Sequence, residues 1–190
     1  MENQFVSLKS GLKTHYLVSG AEGNPPLVLL HGYPSSCYLW RRCMTSLAER
    51  FRVYAPDLPG HGRSDKPLDV DYNLDFFTDF LLDFYDALQL ENAGLVVHDL
   101  GGMAGLGFTA RHPERVKRLV VMDTGPYVDW PFMARALVWT FQRKSLTNLL
   151  LKPSVYKKVM QWGAFYNRDV VGDEMLAFYR DPWVEKPEGR

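Results

Sequence analysis

The segment Val97-His98-Asp99-Leu100-Gly101-Gly102 sets a carboxylate between an apolar run, Gly94-Leu95-Val96-Val97, and a helix-like stretch from Gly101 to His112. A carboxylate at such a strand-to-helix turn has two possible uses. It can attack saturated carbon, displace a leaving group and form an ester on the protein. It can also simply cap the helix that begins at Leu100, because aspartate is a favoured N-cap residue. A second aspartate, Asp123, follows the next apolar run and can open the turn Asp123-Thr124-Gly125.

The other reactive side chains are few. Histidines stand at 15, 31, 61, 98 and 112, and the two cysteines are Cys37 and Cys43. One predicted helix carries both cysteines. Six positions at about 100° each set them well apart around it, so no disulfide is expected. No Cys/His cluster with metal-ligand spacing and no glycine-rich phosphate loop is visible, so neither a metal nor an organic cofactor is expected.

Positioning these residues requires a particular order of elements. Phe5–Leu8 and Thr14–Val18 flank Ser10-Gly11 and read as a β-hairpin. The continuous apolar run Leu27–Leu30 reads as a strand covered on both faces. A helix is predicted from Cys37 to Arg50, a strand over Phe51–Ala55, and a loop from Asp57 to Pro67 that contains Pro59-Gly60-His61-Gly62. Asn73 can cap a helix whose apolar positions, Leu74, Phe77, Leu81, Phe84 and Leu88, recur every three or four residues. The strand ending at Val97, the helix to His112 and a strand over Arg118–Met122 complete the alternation. Together they predict an α/β fold with a mostly parallel sheet and flanking helices.

Beyond Gly125 the pattern changes. Residues 127–190 show no strand and read as three or four helices broken at Pro131, Pro153, Gly163 and Gly172. They hold 12 of the 26 aromatic residues in a third of the chain, which suits either helices over an apolar cavity or ordinary helical core. Two domains are expected, 1–126 and 127–190. Lys+Arg and Asp+Glu both total 22, so no attraction to nucleic acid or anionic membrane is predicted. No apolar run reaches the ~20 residues that a bilayer span needs. The first residues lack a basic and then apolar leader, and a cytoplasmic location is expected.

Four segments in order carry a resemblance: His31-Gly32-Tyr33-Pro34, Asp57-Leu58-Pro59-Gly60-His61-Gly62-Arg63-Ser64-Asp65-Lys66-Pro67, the Asp99 turn, and Asp123. With Tyr38-Leu39-Trp40-Arg41, Arg111-His112-Pro113-Glu114-Arg115-Val116 and Tyr179-Arg180-Asp181-Pro182-Trp183, the chain resembles the haloalkane dehalogenase and epoxide hydrolase branch of the α/β-hydrolase superfamily. That resemblance implies an α/β-hydrolase core over 1–126 and an incomplete helical cap over 127–190. It implies Asp99 as the nucleophile of a hydrolase and a small apolar organic substrate. The backbone N–H groups of Tyr33 and Leu100 would form the oxyanion hole. Asp123 would be the acid that orients a catalytic histidine, or only a turn residue, since other members place the acid later. His31 and His98 are expected to be structural, and Gly101 and Gly102 to let the helix pack closely against the strand.

The resemblance also brings departures. Members need a histidine to activate the hydrolytic water, and none follows His112. The chain is therefore expected to be the N-terminal two-thirds of such an enzyme, without the C-terminal strands, or else a short non-catalytic protein that binds a ligand or partner. Either way Asp99 would alkylate once and stall. Dehalogenases hold the departing halide with a tryptophan after the nucleophile, and Leu100 stands there instead. Trp139 or Trp162 could replace it, and Tyr33 would line the same pocket. Epoxide hydrolases protonate the opening oxygen with cap tyrosines, for which Tyr127, Tyr156, Tyr166 and Tyr179 are candidates.

Overall fold

A computed structural model describes residues 1–125, 139, 143–163 and 165–185. The chain divides into two compact units, Met1–Pro126 and Tyr127–Arg190. The first is built on six strands: β1 (Glu2–Ser7), β2 (Lys13–Ser19), β3 (Pro26–Leu30), β4 (Arg52–Pro56), β5 (Ala93–His98) and β6 (Val116–Met122). They lie in the order β1-β2-β4-β3-β5-β6. β1 and β2 form the expected hairpin, with Phe5 opposite His15, and β2 runs antiparallel to β4. The pairs β3–β4, β3–β5 and β5–β6 are parallel. The mostly parallel sheet with flanking helices is thus as the sequence implies. Among the described residues no strand follows β6, which forms one edge of the sheet and leaves Val120, Val121 and Met122 exposed.

The helices of this unit are α1 (Arg41–Leu47), α2 (Leu74–Ala87) and α3 (Leu100–Arg111). Right-handed crossovers dictate which face each covers. The step from β3 to β4 moves one way along the sheet, and the steps into β5 and β6 move the other way. α1 therefore covers one face, where Met44 and Trp40 pack with Leu17, Leu29 and Val53. α2 and α3 cover the opposite face, where Phe80, Leu81, Phe84 and Phe108 pack with Val28, Leu30, Leu95 and Val97. Asn73 caps α2 as anticipated, its side chain accepting from Phe76 N–H at 2.9 Å.

The single helix predicted from Cys37 to Arg50 is instead a 3-10 turn, Cys37–Trp40, followed by the shorter α1. Ser36 caps the 3-10 turn, its side chain accepting from Tyr38 N–H at 3.3 Å, and Cys37 N–H donates to the buried Asp57 carboxylate (2.7 Å). Both cysteines are free thiols.

The described part of the second unit is helical: α4 (Lys144–Leu150), α5 (Pro153–Gly163), α6 (Asp173–Tyr179) and α7 (Asp181–Glu185). Pro153, Gly163 and Gly172 fall at helix boundaries, Pro153 opening its helix where the missing N–H has no partner to lose. Pro131 and Tyr127 lie outside the described residues. Tyr156, Met160, Met175, Leu176 and Tyr179 are buried, and Arg180 donates to the Leu151 carbonyl and to Asp181. No helix among the described residues is long and apolar enough to cross a membrane.

Candidate active site

The strand order itself points to one place. In an open parallel sheet, ligands sit at the carboxyl ends of the strands where the winding direction reverses. Here that point lies between β3 and β5, and the chain leaves it through Tyr33 on one side and Asp99 on the other.

Asp99 occupies the junction of β5 and α3 with φ +50° and ψ −122°. A positive φ at a non-glycine residue costs of order 1–3 kcal/mol and persists only where the surroundings enforce it. Its carboxylate Oδ1 accepts two backbone donors, Tyr33 N–H at 2.7 Å and Leu100 N–H at 2.6 Å. This is not ordinary helix capping. An N-cap residue has extended backbone and accepts from the second or third helical N–H, whereas Asp99 accepts from the first and from a loop after another strand. Among the described residues no hydrogen bond reaches Oδ2.

The close approach depends on glycines. A Cβ at Gly32 would overlap the Asp99 side chain. A Cβ at Gly101 would overlap the His31 carbonyl at the end of β3, so Gly101 has the packing role anticipated for it. Gly102 differs: its neighbour is the side chain of Thr124, not the strand. Leu100 turns its side chain against the core under α2 and α3.

Asp123 follows β6 directly, at the same carboxyl end of the sheet as Asp99, because β5 and β6 end in register at His98 and Met122. It is exposed, has φ +42°, and no hydrogen bond joins its carboxylate to another described residue. The structure therefore brings Tyr33, Asp99, Leu100 and Asp123 to the carboxyl end of the strands. Trp139 and Trp162 belong to the second unit, where Arg143 and Arg168 stack over their indoles at 3.3 and 3.6 Å. Of the tyrosines of the second unit, Tyr156 and Tyr179 are buried and Tyr166 is fully exposed. Burial pushes the Tyr156 hydroxyl well above its ordinary pKa.

Beneath the Gly32–Cys37 loop lies a buried polar node, of which the sequence pointed only to His31 as a structural residue. The Asp57 carboxylate accepts from His15 Nδ1 (2.7 Å), Cys37 N–H (2.7 Å) and Arg63 N–H (2.9 Å). Burial works against its charge. The hydrogen bond from His15, the nearby His31 and the Cys37 amide outweigh that and lower its pKa to about 2. His31 has both ring nitrogens engaged, Nδ1 with the Gly32 carbonyl (2.9 Å) and Nε2 accepting Leu58 N–H (3.0 Å). Burial lowers the pKa of this ring, against the opposing pull of the Asp57 carboxylate. The node ties β2, the Gly32–Cys37 loop and the Asp57–Ser64 loop together. His15, Cys37 and Asp57 also form a buried set of ligand-type atoms. However, both Asp57 oxygens already hold N–H donors, and burial pushes the Cys37 thiol up, away from thiolate. A hydrogen-bonded anchor suits this set better than a metal. His15 left no mark in the sequence beyond its place in a strand.

Comparison with known proteins gives one family and several relatives. The pattern of the family described as alpha/beta hydrolase fold matches residues 25–186. A cis-3-alkyl-4-alkyloxetan-2-one decarboxylase of Shewanella oneidensis is 43% identical over 129 residues, covering 66% of this chain and 40% of that protein. A haloalkane dehalogenase of Mycolicibacterium paratuberculosis is 45% identical over 114 residues, covering 59% of this chain and 38% of that protein. The solved structure of epoxide hydrolase CorEH superposes with a TM-score of 0.81 at 26% identity, covering 96% of this chain and 68% of that one. The matched stretch thus spans about 40% of the curated relatives' length.

Proposed function

We propose, for a chain that belongs to the alpha/beta hydrolase fold family, that Asp99 is the nucleophile of a haloalkane dehalogenase-like hydrolase. The observation that carries this reading is the seating of Asp99 Oδ1 on Tyr33 N–H and Leu100 N–H. With Oδ1 held there, Oδ2 is the oxygen left to attack carbon, as a C–O bond forms and the carbon–halogen bond breaks. Water then adds to the ester carbonyl. The charge that develops on Oδ1 falls onto two donors already in place, which is oxyanion-hole stabilisation.

The water must be activated by a base. Asp123, exposed at the same carboxyl end of the sheet, is the acid that would orient a histidine for this role. Of this chain's histidines, His15 is bonded to Asp57 and Asn3, and His31 to Gly32 and Leu58. Without a histidine beside Asp123 the reaction stops at the ester. The substrate of this reading is a small apolar organic molecule.

A second reading is favoured by Leu100, whose side chain donates no hydrogen bond to a halide. In that reading the leaving oxygen stays on the substrate, as in an epoxide. The two readings separate when the chain is offered 1-bromobutane or styrene oxide. The dehalogenase reading expects bromide release matched by a butyl adduct. A hydroxyalkyl adduct from the epoxide alone supports the second reading. Equal adduct on Asp99→Asn removes both, and leaves a ligand- or partner-binding protein.

A further inference from the structure

One hydrogen bond at the candidate site has no part in the chemistry just described. The Thr124 hydroxyl donates to the Asp99 main-chain carbonyl at 2.7 Å, and the same oxygen accepts Gly102 N–H at 2.8 Å. The parallel pairing of β5 with β6 ends at His98 and Met122, so this side-chain bond continues the link one residue beyond the ladder. A Cβ at Gly102 would overlap the Thr124 side chain, and all three atoms nearest that position belong to Thr124.

The geometry has a consequence for the oxyanion hole. The Asp99 carbonyl and the Leu100 N–H belong to one planar peptide unit. Whatever fixes the carbonyl also fixes the direction of the N–H, and that N–H is one of the two donors to Asp99 Oδ1. The two residues flanking this link, Asp99 and Asp123, both have positive φ, so neither turn holds its shape by local preference alone.

Resting on the reading of Asp99 as nucleophile, we propose that Thr124 is a positioning residue that aims the Leu100 N–H by holding the far end of its peptide unit, with Gly102 leaving the room its side chain needs. Thr124 thereby also ties the turn bearing Asp123 to the nucleophile.

The test compares Thr124→Val, which keeps the shape and removes the hydroxyl, with Thr124→Ser, which keeps the hydroxyl. Two readouts are followed in the 190-residue chain. One is the rate at which 1-bromobutane alkylates Asp99 as bromide leaves, measured against bromobutane concentration. The other is amide hydrogen exchange at Leu100 without electrophile. Thr124→Val is expected to lower the limiting alkylation rate about tenfold, the worth of one hydrogen bond, at an unchanged half-saturating concentration. It is also expected to speed Leu100 exchange, and Thr124→Ser to restore both. Wild-type rate and exchange in Thr124→Val, or equal losses in Val and Ser, would overturn the proposal. If the unaltered chain forms no adduct on Asp99, the nucleophile reading fails. The exchange comparison then still decides whether Thr124 holds that peptide unit. Should Thr124→Val not fold, Gly102→Ala reaches the same contact from the other side. Faster Leu100 exchange supports the role and unchanged exchange overturns it.

Discussion

At the scale of single residues, the account rests on how Asp99 is held. Its Oδ1 faces two amide donors, and its side chain packs where only a glycine fits on the opposing loop. Gly32→Ala is therefore expected to push Asp99 off these donors, lowering its alkylation by 1-bromobutane about 100-fold while the far-ultraviolet circular dichroism stays native. Unchanged alkylation would show that the approach of the two loops does not matter. The place of Asp99 at a strand-to-helix turn was legible in the sequence itself, whereas Tyr33 and Leu100 were implied beside it only by the family resemblance. Thr124 was not legible. A threonine after an aspartate carries no periodic or compositional signal, and its meaning comes only from Gly102, 22 positions earlier in the chain but adjacent in space. The Asp57 node was hidden for the same reason: His15 lies on a strand far along the chain from the loop it bonds.

At the scale of elements, hydrophobic periodicity did most of the work. The three- and four-residue spacing in 74–88 defined α2, and Asn73 marked its start. Phe84 sits at the centre of that face, fully buried and in edge-on contact with Tyr16 of β2. Phe84→Ala is expected to cost about 3–5 kcal/mol in urea unfolding; a loss below about 1 kcal/mol would mean that α2 does not pack as described. The element whose extent the sequence overstated is the helix after Cys37, which is a 3-10 turn over Cys37–Trp40 followed by α1. Helix ends and the choice between 3-10 and α turns carry little signal in residue type alone.

At the scale of the whole molecule, buried titratable groups make the first unit sensitive to acid. Burial lowers the pKa of His61 to about 3 against an ordinary 6.5, with the neighbouring His31 adding to the effect. The unfolded chain thus takes up this proton first. The contribution to stability is complete above about pH 6.5 and is lost as pH falls toward 3. Asp57 acts in a lower window: its stabilisation, about 2 kcal/mol, is complete above about pH 4 and gone near pH 2. His61→Gln should therefore flatten the fall in urea stability between pH 6 and pH 4 by roughly 1.4 kcal/mol per pH unit; an unaltered slope would contradict the burial of a neutral ring. The order of strands and helices was readable throughout the first unit, because both faces of its sheet are covered and the apolar runs are continuous. The part played by the aromatic residues of the second unit was not, since they serve core and surface alike. The central claim concerns one atom of one side chain. Intact-mass measurement and peptide mapping after exposure to excess 1-bromobutane test it most directly. The account predicts one butyl group per chain, located on Asp99, with one equivalent of bromide released and none from Asp99→Asn. An adduct elsewhere, or the same adduct on Asp99→Asn, would contradict it.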